Sequence, residues 1–151
     1  MYEIFTTIHS ILRWLIVIIA LIVIFRSLIG WLGKKSYTGS ENMLGLALNS
    51  SLDLQLIIGL VLYIFLSPFT QTAFQDFGSA MSNSVLRFFA VEHFLLMLIA
   101  IVLVHIGRIR VKKADTDVKK HKRTFIFYLI AFILILVSIP WPFMAYGKGW
   151  I

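Results

Sequence analysis

Few residues in this chain can do chemistry in an apolar setting. The sequence has four histidines and no cysteine, which excludes disulfides, thiol nucleophiles, iron–sulfur clusters and covalently attached haem. Any metal must rest on imidazole, thioether or carboxylate groups. His9 and Arg13 stand four apart in the first apolar block, about 40° apart around a helix and roughly 6 Å along it, hence on one face. The second block offers Asn49, Ser50 and Asp53 on one stripe, with Gln55 pointing nearly the other way. The third offers Arg87, Glu92, His93 and, further on, His105. The fourth has no ionisable residue between Arg123 and its far end and reads as packing and lipid-facing wall.

Depth sorts these groups. Counted at about 1.5 Å per residue, His9 and His93 both fall within roughly 8–14 Å of one membrane surface, with Arg13 and Glu92 close to the same level. Two imidazoles on different helices, with no third strong ligand beside them, suit the two axial positions of a b-type haem. Zinc generally needs three or four protein ligands, and the approximately 100° offset of Glu92 from His93 disfavours a two-His-one-carboxylate iron site. His9 and His93 are therefore the expected metal ligands. Arg13 and Glu92 are expected to form a buried ion pair between the first and third helices, since neither charge is tolerable alone in low dielectric. A haem propionate is the alternative partner for Arg13. His105 lies about 18 Å beyond His93 and is rotated by about 120°, so it cannot serve the same group. With Asn49 and Asp53 it marks a polar site toward the inner side, and His121, in the run KKHKR, reads as solvated or in contact with headgroups.

The elements that must hold these residues follow from composition. Of 151 residues, 60% are hydrophobic and 14% charged, far from the ~45–50% and ~25% of a soluble domain. The apolar residues gather at about 4–29, 43–66, 84–106 and 124–144, each block near the ~20 residues needed to cross a bilayer. The expected fold is an all-α bundle of four transmembrane helices forming one domain over 1–151. The net charge of +7 is not spread evenly, because 11 of the 14 Lys and Arg lie in or beside two segments, Arg26 to Lys35 and Arg108 to Arg123. That distribution argues for cytoplasmic basic loops and anionic lipid contact, and against nucleic acid. Both termini and the loop from Ser67 to Asn83 then lie on the outer face. MYEIFTTIHS has no basic n-region, so the first block is expected to be a retained helix. Pro68 is expected to end the second span, and Pro140 and Pro142 the fourth, with Trp141, Tyr146 and Trp150 in an interfacial aromatic belt.

HSILRWL, DLQLIIGLVLY, VEHFLLMLIAIVLVHIGR and KKHKRTFIFYLIAFILILVSIPWPF, taken in order, resemble small four-helix bacterial membrane proteins that carry the name cytochrome b or cytochrome-b-like. The resemblance covers most of the chain. It implies a haem b electron-transfer protein of the bacterial inner membrane, with His9 and His93 at the candidate axial positions, quinone or quinol as redox partner and other membrane redox subunits nearby. Asp53 stands where a second pair of axial ligands would want a histidine, leaving His105 without an imidazole partner. Two other readings stay open from the residues alone. One is a haem-free accessory or assembly subunit of a larger membrane complex; the other is a proton-coupled carrier using Arg13, Asp53, Glu92 and His105 as a relay.

Overall fold

The computed structural model describes residues 1–147 and 149–150. The chain order is α1 (Tyr2–Leu32), α2 (Gly39–Val61), a π-helical turn (Leu62–Leu66), α3 (Pro68–Gln75), α4 (Phe77–Ser82), α5 (Ser84–Arg87), a second π-helical turn (Phe88–Glu92), α6 (His93–Lys112) and α7 (Asp117–Ser138). Four stretches are long and apolar enough to cross a membrane: Tyr2–Leu32, Gly39–Leu66, Ser84–Lys112 and Asp117–Ser138. Helices are the form such segments must take, because in hydrocarbon each backbone N–H and C=O has to be satisfied within its own span. Large apolar side chains such as Ile18, Phe25, Ile57, Ile99 and Ile133 remain exposed around the outside, as a lipid-facing surface requires.

The core runs the length of the bundle. Ile16, Ala20, Leu48, Leu52, Ala100, Val104, Ala131 and Ile135 are buried at its centre. Alanines at 20, 100 and 131 let the backbones approach closely, the packing device available where lipid removes the hydrophobic drive between helices. α1 packs between α2 and α7, and α6 packs chiefly on α7.

Helix ends explain where the observed spans differ from the expected ones. α2 begins at Gly39 rather than near 43, because Thr38 and Glu41 form a reciprocal capping box. α6 continues to Lys112 and α7 starts at Asp117, capped by the Thr116 hydroxyl on the Lys119 amide at 3.3 Å. Arg108, Arg110, Lys112 and the basic residues from Lys119 to Arg123 thus extend α6 and α7 beyond the apolar blocks, while Lys34 and Lys35 stay in the connection between α1 and α2. α7 stops at Ser138, short of 144, since Pro140 forces Ile139 into an extended conformation (ψ 129°). The outer segment expected as a loop is largely helical. Pro68 ends the second span as anticipated and also occupies the first turn of α3. Asp76 caps α4 through the Ser79 amide at 3.0 Å, and its hydrogen bonds with Ser79 hold its carboxyl below the usual carboxylate range.

His121 is a correction. It was expected in solvent or among headgroups, yet it is 1% exposed. Because α7 is already helical there, Lys119 and Lys122 point outward while His121 turns toward α1, its ring 5.0 Å from Tyr37 and its Nε2 3.3 Å from the Ser36 carbonyl. Gly30 makes the room, since a β-carbon at that position would overlap the imidazole. Gly30→Ala is therefore expected to cost about 1–3 kcal/mol through overpacking. Gly39→Ala, where a β-carbon meets nothing within 4 Å, should leave thermal unfolding in detergent within about 0.5 kcal/mol of the parent. Equal melting of the Gly30 variant and the parent would contradict this packing.

Candidate functional site

His9 on α1 and His93 at the start of α6 face each other across one end of the bundle, with ring centroids 6.3 Å apart and planes inclined at 65°. Between and above them lies a cavity of about 310 Å³, lined by all four spans and by Gly149 of the C-terminal segment. It sits at the end remote from the basic segments.

Two backbone features aim His93. The π-helical turn at Phe88–Glu92 immediately precedes it, and such wide turns inside α-helices recur at functional sites. From the fourth span the Ser138 carbonyl then stands 2.7 Å from His93 Nδ1. A carbonyl can only accept, so Nδ1 carries the proton and Nε2 keeps its lone pair, the tautomer of a metal-ligating histidine. The carbonyl is free for this contact because α7 ends there and the residue four further on, Pro142, has no N–H to offer.

His9 is held differently. Gly59 on α2 admits its ring, since a β-carbon there would stand 3.3 Å from His9 Cε1. Gln55 Nε2 donates to the His9 carbonyl at 3.0 Å, fixing α2 against α1. His9 Nδ1 is nevertheless buried with no hydrogen-bond partner, and so are Arg13 Nε and Gln55 Oε1. Buried polar atoms without partners are costly and rare in folded proteins. Of the four such side-chain atoms among the described residues, these three belong to residues lining this one cavity; the fourth is His121 Nδ1.

The two imidazoles are close enough that they could hold one metal between them. Two imidazoles on opposite sides of one metal, at metal–nitrogen distances of about 2.0–2.1 Å, have ring centroids about 6 Å apart, and the observed value is 6.3 Å. Among the described residues no group of three or more His, Asp or Glu side chains converges as metal ligands do. The cavity is at the lower end of the ~300–1,000 Å³ of small-molecule sites, and its walls are mixed, with Tyr63, Phe69, Phe89 and Met97 beside Thr6, Ser10 and Arg13.

Arg13 and Glu92 are not brought together, a second correction. Glu92 accepts from Arg87 Nε at 2.7 Å. Residues five apart lie about 140° apart on an α-helix, which is why this pair is invisible to α-helical counting, but a π-helical turn brings them onto one side. Arg13, 9% exposed, donates instead to the Trp150 carbonyl at 2.7 Å, which also accepts from Trp14 Nε1 at 2.7 Å. Trp14, Trp141 and Trp150 cluster with centroids 6.2 Å apart, and Tyr146 stacks on Phe88 at 3.8 Å. The residues expected in an aromatic belt thus fold over the cavity end.

The polar residues expected toward the inner side divide in two. Buried Asn49 accepts from the Tyr128 hydroxyl at 2.9 Å. Asp53 meets His105 Nε2 at 3.3 Å on the seam between α2 and α6. Gln55, Gly59 and Ser138 were not read as site residues from the sequence. Only Gln55 gave a signal, being polar and off the Asn49–Asp53 stripe.

Comparison of the chain with protein-family models, with curated proteins and with solved structures gives no match.

The rearranged ion pairs are testable by double-mutant cycles. Arg87 and Glu92 have side chains 43% and 41% exposed, so replacing them with Gln should reveal a coupling of only about 0.2–1 kcal/mol. Arg13 and Glu92 should show none beyond about 0.3 kcal/mol. A larger coupling for Arg13 with Glu92 in thermal or denaturant unfolding would restore the pairing that depth alone suggested.

Proposed function

We propose that this four-span membrane protein is a b-type cytochrome whose haem is held between His9 and His93 and which passes single electrons near the outer face of a bacterial inner membrane. The observation that carries the reading is the pair of imidazoles 6.3 Å apart on one cavity, one of them tautomerically fixed by the Ser138 carbonyl. When bound, haem supplies reversible one-electron chemistry at iron. The chain's own residues do the rest. Ser138 orients His93, Gly59 and Gln55 seat α2 against His9, and the Arg13 guanidinium, with Nε still unpartnered, suits a propionate carboxylate. Tyr63, Phe69 and Phe89 add apolar wall that excludes water. Quinol is the donor class this reading favours, because it reaches the site from within the bilayer.

The orientation belongs to the same proposal. Lys34, Lys35 and the basic residues from Arg108 to Arg123 lie at the end opposite the cavity, and the positive-inside rule puts them in the cytoplasm. Alkaline phosphatase fused after the last residue should then be active, and a cytoplasmic reporter there inactive; the reverse pattern overturns the orientation.

Protein purified from haem-replete cells should give a b-type reduced-minus-oxidised spectrum at about one haem per chain. His9→Ala and His93→Ala should each lose the low-spin signal, while His105→Ala keeps it. Protein isolated without haem and unable to take it up would overturn the reading, and two haems per chain would overturn the assignment of ligands.

A further inference from the structure

Asp53 and His105 take no part in the cavity at the other end. Their side chains meet at 3.3 Å on the α2–α6 seam and are 50% and 45% exposed. His105 Nδ1 lies 3.0 Å from the Ile101 carbonyl while Nε2 faces the carboxylate. Both ring nitrogens therefore meet oxygens, and the imidazole and the carboxyl share one polar contact at the surface. A polar pair half open to hydrocarbon is expensive, and ionisable groups in spans normally turn toward protein or water.

The surface around the pair is laid out for helix packing. Ser50, Asp53 and Ile57 on α2 repeat the three-then-four spacing of Val102, His105 and Ile109 on α6, and all six are partly or largely exposed. That spacing is the seam of helices packed lengthwise. The most apolar windows of the second and third spans are only 22% buried, against 39% for the first and fourth, so the unused surface lies on these two spans.

We propose that this face joins two copies of the chain within the membrane, related by a two-fold axis along the membrane normal, with Asp53 of each copy turned toward His105 of the other. Rotation about the normal preserves depth. The acid and the imidazole meet at one depth in one copy, so they also stand level across such an interface, and a patch bearing a carboxyl and an imidazole at one level is complementary to itself in hydrogen bonding. The contact lies away from the His9–His93 cavity and does not depend on what that cavity holds.

The chain lacks cysteine, so single introduced thiols report contacts without background. Two differently tagged full-length chains, one Ile57→Cys and the other Val102→Cys, are reconstituted together in phospholipid vesicles and oxidised. A mixed disulfide is expected, and none from Ile18→Cys with Ile133→Cys, whose positions are exposed on α1 and α7. Single-molecule photobleaching should count two copies, and Asp53→Asn should weaken their association by about 3- to 20-fold, the range of hydrogen bonds between membrane helices. Should Asp53→Asn not accumulate, the cysteine pairs still decide, as they leave Asp53 and His105 intact. One copy per particle, equal disulfide yield from the Ile18 and Ile133 pair, or capture of a different membrane protein at Ile57 in native membranes would each overturn the proposal.

Discussion

In hydrocarbon no water replaces a missing hydrogen-bond partner, and this constraint shapes every polar position in the bundle. Most of the polar side chains in the spans obey it locally. Ser27 and Ser138 hydroxyls donate to carbonyls one turn back, Tyr128 donates to Asn49, and Arg13 reaches the Trp150 carbonyl. The exceptions among the described residues concentrate at one place, where His9, Arg13 and Gln55 each leave a buried atom unsatisfied around the same cavity. Three such atoms around one cavity, beside two imidazoles, are what the proposed haem site rests on.

The two π-helical turns make that cavity end. Each widens a helix, and the carbonyls around it are used by side chains from elsewhere. Thr70 donates to the Tyr63 carbonyl at 2.7 Å, while the Tyr63 hydroxyl donates to the Ala90 carbonyl at 2.6 Å. The widened parts of the second and third spans are thereby tied to each other directly, with Tyr63 also stacked on Phe94 at 4.7 Å. The short helix α3 packs against both π-helical turns, and α4 packs on α3. The second turn also hands Glu92 to Arg87, while Arg13, which lines the cavity, donates to the Trp150 carbonyl and keeps its Nε without a partner.

The sequence made the spans legible because apolar runs of bilayer length admit little else. His9 and His93 could be set at one level because depth in a helix is simple counting, and the structure does place both on one cavity. What counting missed has specific physical causes. It presumes α-helical geometry, so the Arg87–Glu92 contact across a π-helical turn lies outside its reach. It sees side chains, so a backbone carbonyl such as that of Ser138, freed by the helix end and by a proline four residues on, carries no sequence signature as the partner of His93. It treats a basic run as solvated, whereas His121 within KKHKR turns inward because Gly30, some ninety residues earlier, leaves a gap of its shape.

The central claim is that the two imidazoles facing this cavity ligate one iron. Met97 lines the same cavity and is the other side chain there that could hold iron in place of one imidazole. Near-infrared magnetic circular dichroism of the oxidised, purified protein separates these possibilities, because the energy of the low-spin ligand-to-iron charge-transfer band identifies the pair of axial ligands. The account predicts the bis-imidazole band in the parent and in a Met97→Leu variant alike. A histidine–methionine band that Met97→Leu abolishes, or the absence of any low-spin band, would contradict it.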